Sequence, residues 1–348
     1  MNDIERFRRR RENRLLRRGI RLDAEWEEEK HPRGKNGQFT SGSGTGDTGT
    51  EKKPKSPILK TGKTIGGTKL PKLKEGAEWS KRVATADEGA KKDGFTKEFD
   101  KAIKNLKPED ILYQTDSDGK VFASVPGLMA KIDNKLKFKD RPEKSEACKK
   151  IYATSLKAEK GITKDMLDLS KQLGTCMSGL EFSMKSGSHF AEKIDRKREK
   201  FEEKNPGMEI SDEEIAKGMT DNIRYTMLIK HDDIPNKFND VVKGLEDKGY
   251  EIVEVDNKFV QKGDKPVNYK GVHILAQKDG QTVELQLHSN ETDELKDKNH
   301  EIYELYEGKD GKKRTQEEKD KLNEEMIENA KKIRNPKGIE NIKDYKKR

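Results

Sequence analysis

The spacing of apolar residues divides the chain into a periodic second half and a first half with little period. Ile151 and Leu156, then Met166, Leu169, Leu173, Met177 and Leu180, recur at helical intervals and predict helices over 146–160 and 162–182, with a further helical run over 188–201. The period then drops to two. Residues 222–229 (NIRYTMLI) alternate as a strand. Ile234, Phe238, Val241, Val242 and Leu245 mark an amphipathic helix over 234–248 that Gly249 stops. Strands follow over 251–259, 269–277 and 281–288, the last two joined by the compact turn Lys278-Asp279-Gly280, and a helix over 291–306 closes the series. Helices, then β-α-β-β-β, then a helix: this order predicts an α+β fold over 145–307, a mixed β-sheet flanked by helices.

The first half reads differently. Residues 95–144 form a small accessory segment, with a helical stretch (FTKEFDKAIKNL) and a hairpin in which ILYQT and VFASV flank a turn at Asp116–Gly119. Residues 31–94 are rich in Gly, Ser, Thr, Lys and Pro, lack apolar periodicity to about residue 75, and are expected to be a disordered linker. Residues 1–30 begin with eight arginines in the first eighteen positions, dotted with Ile4, Phe7, Leu15 and Leu16, and turn acidic around Trp26. That is a charged helical arm, either solvated or in contact with nucleic acid, with a membrane surface the weaker partner. Residues 308–348 are expected to be a charged C-terminal helix or tail.

Composition explains the contrast. Only 30% of residues are apolar and 41% are charged. So little apolar area cannot offset the entropy of ordering every segment, which leaves one folded domain with helical or disordered arms. The formal net charge of +9 favours polyanionic partners such as nucleic acids, nucleotides or polyphosphates. Cys148 and Cys176 have no metal-ligand spacing and are expected to be reduced thiols. No run approaches a membrane span and the N-terminus lacks the apolar core of a secretory signal, so the expected place is the cytoplasm, without a membrane partner.

Two segments concentrate chemistry. In the strand over 281–288, Val283, Leu285 and Leu287 point one way and Glu284, Gln286 and His288 the other; in the strand over 222–229, Arg224 and Thr226 form a similar polar stripe. These side chains share either a solvated sheet face or a site. Upstream, MKSGSHFAEKI places Lys185 and Lys193 on either side of Ser186, Gly187 and Ser188 at a helix start. Amides at a helix start with nearby lysines suit phosphate oxygens, although a Ser-capped surface helix has the same pattern.

Together these segments resemble the RelA/SpoT-type (p)ppGpp synthetases. The run from Lys185 to Lys193 resembles their K-s-p-x-S-i-x-x-K segment, NIRYTML their strand ending G-I-R, YKGVH their Y-R-S-I-H, VELQLH their E-I-Q-I-R, and NHEIYE their later H-x-x-Y-E. Order and spacing agree over about 120 residues, and the toxin branch of the superfamily, often attached to phage or secretion-type regions, is closer still. The stretch from Glu25 to Gly42 resembles phage head-associated proteins and their toxin-bearing relatives.

The resemblance implies a nucleotidyltransferase-like fold and an ATP-dependent pyrophosphokinase. Lys185, Ser188 and Lys193, with Arg224, would hold the ATP phosphates, and Tyr269 would stack on the acceptor base. Glu284 would bind Mg2+ or take the acceptor's proton, with Asp221 as second metal ligand; Gln286 and His288 would line the same groove, His273 would contact phosphate or acceptor, and Lys296 and His300 would be secondary contacts. The acceptor would be a guanine nucleotide, an adenine nucleotide or the 3′ end of tRNA. An immunity protein or antitoxin, and a phage particle, would be further partners, the latter with a virion-associated location.

Departures from the family are specific. Met219 stands where it has an acidic metal ligand, His189 at its serine, Ser183 at an arginine and His288 at another. No hydrolase domain is evident. Two other readings stay open: a phage head-associated or nucleic-acid-binding structural protein with an inactive domain, and a metal-dependent nucleotidyltransferase.

Overall fold

The computed structural model of the protein describes residues 58–59, 64–65, 68–133, 142–264, 266–308 and 310–347. The expected arm over 1–30 and the linker up to residue 57 lie outside them. In chain order the first elements are β1 (Ile58–Leu59), the antiparallel ribbon of β2 (Thr64–Ile65) and β3 (Thr68–Lys69), β4 (Ala77–Ser80), α1 (Lys81–Lys92), α2 (Thr96–Lys104), β5 (Leu112–Thr115), β6 (Val121–Ser124) and α3 (Leu128–Ile132). Strands β1, β4, β6 and β5 form a four-stranded sheet in that order. β5 and β6 pair antiparallel around the turn at Asp116–Gly119, the hairpin that the sequence predicts.

The end of the expected linker is instead part of this sheet. Trp79, Val83, Ala86 and Ala90 are buried with Phe99, Ile103, Ala123, Leu128 and Met129 in a core of their own. Ser80 caps α1, its side chain accepting from the Arg82 amide. The apolar face of α1 is made mostly of alanines among lysines and acids, which is why hydropathy passes over it.

The second half continues with α4 (Pro142–Gln172), β7 (Cys176–Ser178), α5 (Gly187–Lys204), α6 (Asp212–Lys217), β8 (Ile223–Leu228), α7 (Ile234–Asp247), β9 (Glu251–Asn257), β10 (Val272–Lys278), β11 (Gln281–His288), α8 (Asn290–Tyr306), α9 (Gln316–Lys331) and β12 (Tyr345–Lys346). Six strands form the main sheet in the order β12-β9-β10-β11-β8-β7. Only β8 and β11 pair in parallel, so the sheet is mixed and, with helices flanking it, the fold is α+β. Two predicted helices, over 146–160 and 162–182, are one helix that ends early. The chain turns at Gly174, whose φ of +64° suits glycine, and Met177 joins β7.

One face of the main sheet is apolar. Ile223, Tyr225 and Met227 of β8, Val272 and Ile274 of β10, and Val283, Leu285 and Leu287 of β11 are buried with Met166 and Leu169 of α4 and Val241 and Leu245 of α7. Each such side chain contributes about 1.5–3 kcal/mol by leaving water. Ile339 and Ile342 belong to the same core, and β12 adds the edge strand on β9. The segment over 145–307 is therefore not a closed domain: the C-terminal residues complete its core. Residues 70–133 also hold it, through hydrogen bonds from Val125 N to Glu181 and from Gly127 N to Leu180 O. Cys148 and Cys176 are both free and buried, and burial, then Asp116, pushes the Cys176 thiol up to about 12. Among the described residues no helix is long and apolar enough to cross a membrane.

Candidate active site

The opposite face of the main sheet is polar, and strand register decides its layout. Arg224 of β8 lies opposite Glu284 of β11, which lies opposite Leu275 of β10, which lies opposite Glu254 of β9. The next row runs Thr226, Gln286, His273, Asp256 in the same strand order. Since side chains two apart share a face, these eight stand together.

Cations reach this face from outside the sheet. Lys185 precedes α5, tied down by its amide donating to Asn222 O at 2.8 Å, and Lys193 lies two turns into α5. Both grip the carboxylate of Asp221, Lys193 at 2.5 Å and Lys185 at 3.3 Å. Lys193, Thr220, Asp221, Glu254, Asp256, His273, Leu275 and Glu284 line one pocket of about 220 Å³. The Arg224 guanidinium is close enough to act on Glu284, Asp221 and Lys185 alike. The lining itself carries Lys193 with four carboxylates, Asp221, Glu254, Asp256 and Glu284.

The charge states follow from this arrangement. Burial disfavours an ionised Glu284, but a hydrogen bond from His273 Nδ1 at 2.8 Å, another from Gln286 Nε2 at 3.0 Å, and the charge of Arg224 hold its carboxyl down to about 2. Burial likewise opposes Asp221, and Lys185, Lys193 and Arg224 overcome it, keeping its pKa far below the usual carboxylate range. Burial and then Arg224 push Lys185 down to about 8 against the pull of Asp221. At neutral pH both carboxylates are charged.

Of the sequence-predicted residues, the structure brings Lys185, Lys193, Asp221, Arg224, His273, Glu284 and Gln286 to this place. Others stand elsewhere. Ser188 is buried, and its amide already donates to Asp133 Oδ2 at 3.0 Å while the Gly187 amide donates to Asp133 O at 2.7 Å. The helix start expected to receive phosphate is thus capped by an aspartate from another part of the chain. His288 is fully buried, with both ring nitrogens bonded, to the Tyr269 hydroxyl at 2.8 Å and to Thr292 Oγ1 at 3.0 Å, so it does not line a groove. Lys296 donates to Thr226 Oγ1 at 2.9 Å and pairs with Asp293 at 2.8 Å. His300 is exposed on α8 beside Glu304.

Sequence reasoning missed Glu254 and Asp256, which share one face of β9 by alternation but whose side of the sheet depends on register with β10. It also missed Arg82, which reaches Asp293 at 2.6 Å and Ser178 at 3.4 Å and so fastens α1 to α8 and β7. No local pattern marks that contact, which spans 211 positions.

Among the described residues no group of three or more His, Cys, Asp or Glu is arranged to hold a metal. Magnesium asks for less: one or two carboxylates, with substrate phosphates and water for the rest. Asp221 and Glu284 border the same pocket, and Asp221 Oδ1 is buried without a hydrogen-bond partner. The pair fits an ion that arrives with a polyphosphate, not a protein-only cage. Compared with known proteins, the chain matches no family model and no curated protein.

Proposed function

We propose that this chain is a RelA/SpoT-like pyrophosphokinase that moves the β,γ-pyrophosphate of ATP to a ribose 3′-hydroxyl and acts as a toxin. The observation that carries the reading is that Lys193, Asp221 and Glu284 line one pocket while Lys185 pairs with Asp221 and the charge of Arg224 acts on both carboxylates. Cations gathered beside an ionised glutamate suit a triphosphate donor next to a hydroxyl acceptor. Phosphoryl-type transfer needs positioning and electrostatics more than covalent chemistry.

In this reading Lys185, Lys193 and Arg224 hold the phosphate oxygens. The acceptor 3′-oxygen bonds to the β-phosphorus, the bond from that phosphorus to the α,β-bridging oxygen breaks, and AMP leaves. Glu284, ionised at neutral pH, takes the hydroxyl proton. Gln286 fixes the glutamate from one side and His273 from another. Asp221 and Glu284 would hold magnesium, which would supply charge neutralisation on the phosphates. The acceptor is a guanine or adenine nucleotide or the 3′ end of tRNA.

The second reading, an inactive structural protein associated with phage particles or nucleic acid, draws on one observation. Met219 is buried where the family carries an acid, so the metal pair depends on Asp221, which two lysines already grip.

The experiment uses the full chain with radiolabelled ATP and each acceptor in turn, GDP, GTP, AMP, ADP or deacylated tRNA, alongside Glu284→Gln. AMP release with a labelled acceptor, lost in the variant, supports the enzyme; growth arrest relieved by the same change supports the toxin. Absence of AMP with every acceptor overturns the proposal in favour of the structural protein.

A further inference from the structure

We infer that Tyr269 is a positioning residue whose hydroxyl, not its ring face, serves the site, by fixing the orientation in which His273 presents Nδ1 to Glu284. The inference deepens the pyrophosphokinase reading and rests on it only where activity is measured. It runs against the base-stacking role that the family resemblance implies for Tyr269.

The geometry is a continuous chain of hydrogen bonds. Glu284 meets His273 Nδ1 at 2.8 Å, His273 Nε2 meets the Tyr269 hydroxyl at 3.1 Å, that hydroxyl meets His288 Nε2 at 2.8 Å, and His288 Nδ1 meets Thr292 Oγ1 at 3.0 Å. The Tyr269 hydroxyl is thus held between the two imidazoles and is the partner of His273 Nε2 while His273 Nδ1 faces the carboxylate. His288 is fully buried, and burial lowers its pKa well below the ordinary histidine value, so the ring that anchors the hydroxyl from behind stays neutral.

Packing enforces the same arrangement. The Tyr269 ring stands nearly perpendicular to both imidazoles, at 89° and 5.3 Å from His273 and at 84° and 5.5 Å from His288. A Cβ at Gly271 would meet His288 Cε1 at 2.7 Å and Tyr269 Cε1 at 3.2 Å, so only glycine there lets both rings approach. Without the phenol, His273 Nε2 loses its partner, and the imidazole is no longer held with Nδ1 against Glu284.

Tyr269→Phe in the full chain keeps the ring and removes the oxygen. The expected result is a fall in kcat of about 10–100-fold, the range for losing a partner that orients a reacting group, with KM for ATP and for the acceptor within about twofold of wild type. Stacking predicts the reverse: Tyr269→Phe silent and Tyr269→Leu raising the acceptor KM. A second measurement is independent of turnover: in nitrogen-15 spectra of the histidine rings the His273 Nδ1 signal, which reports its contact with Glu284, should move in Tyr269→Phe. An unchanged Nδ1 signal in the variant overturns the inference, as does an unchanged kcat in an active enzyme. If the wild type transfers nothing, the pyrophosphokinase reading falls, and the spectra alone decide the role of Tyr269.

Discussion

Two cavities among the described residues contrast, and the larger is the poorer in chemistry. About 580 Å³ lies between α7, the outer strand β9 and the C-terminal residues, lined by Phe238, Val242, Ile252, Val255, Ile342 and Tyr345 among others. The smaller, about 220 Å³, holds four carboxylates, a lysine and a histidine. Apolar walls mark where an edge strand and the chain terminus close over a core. Converging charges, with Glu284 and Asp221 held far below the ordinary carboxylate range by their partners, fit the proposed place where something charged is bound or moved. Volume and chemistry point to different cavities.

The strongest way to break this comparison is Glu284→Gln, expected to lower turnover about 10²–10⁴-fold in the ATP assay, the range for losing a general base. Equal loss on Phe238→Ser would reverse the assignment of the two cavities. Next is Ile342→Ala, beside the larger cavity, which should cost about 2–4 kcal/mol in a urea melt through the void it leaves, with turnover per folded molecule unchanged.

Glu181 sharpens the criterion. It is fully buried in neither cavity, and burial raises its carboxyl to about 7 against the hydrogen bond from Val125 N. The folded state therefore holds its proton more tightly than the unfolded one. The resulting stability is fully present below the unfolded value near 4.5 and is lost as pH rises through about 7. Glu181→Gln should flatten that loss, leaving the variant about 3 kcal/mol more stable relative to wild type at pH 8 than at pH 4.5, read from denaturant melts at both values. A displaced pKa without a pocket is structural.

Smaller still, Lys193→Ala should raise the KM for ATP about ten- to hundredfold through the loss of a charged hydrogen bond. Tyr345→Ala, at an exposed position, should shift the melt by less than about 0.5 kcal/mol.

Much of the main sheet was legible because its strands alternate cleanly. The predicted strand over 281–288 coincides with β11, and parity along β8 and β11 puts Arg224 and Glu284 on the face opposite Ile223 and Leu285. What parity leaves open is which residues of other strands join them: Glu254 and Asp256 required the register of β9 against β10. Ser188 and His288 read as site residues because a helix start and a polar stripe look the same whether or not a distant partner has claimed them. Asp133, 55 positions from Ser188, and Tyr269 made those claims. The four-stranded sheet was half legible, its hairpin plain and its α1 face hidden by small residues.

The Asp133 carboxylate at the start of α5 ties the proposed active-site pocket to a part of the chain outside it. Asp133 seats the first turn of the helix on which Lys193 rides, so the upstream sheet works as the footing of a lever. Mutations that inactivate the protein should therefore collect in residues 70–133 as well as around the pocket. A fragment begun at residue 145 would leave α5 unanchored, and its silence in an assay would report lost footing, with the reaction machinery itself unexamined.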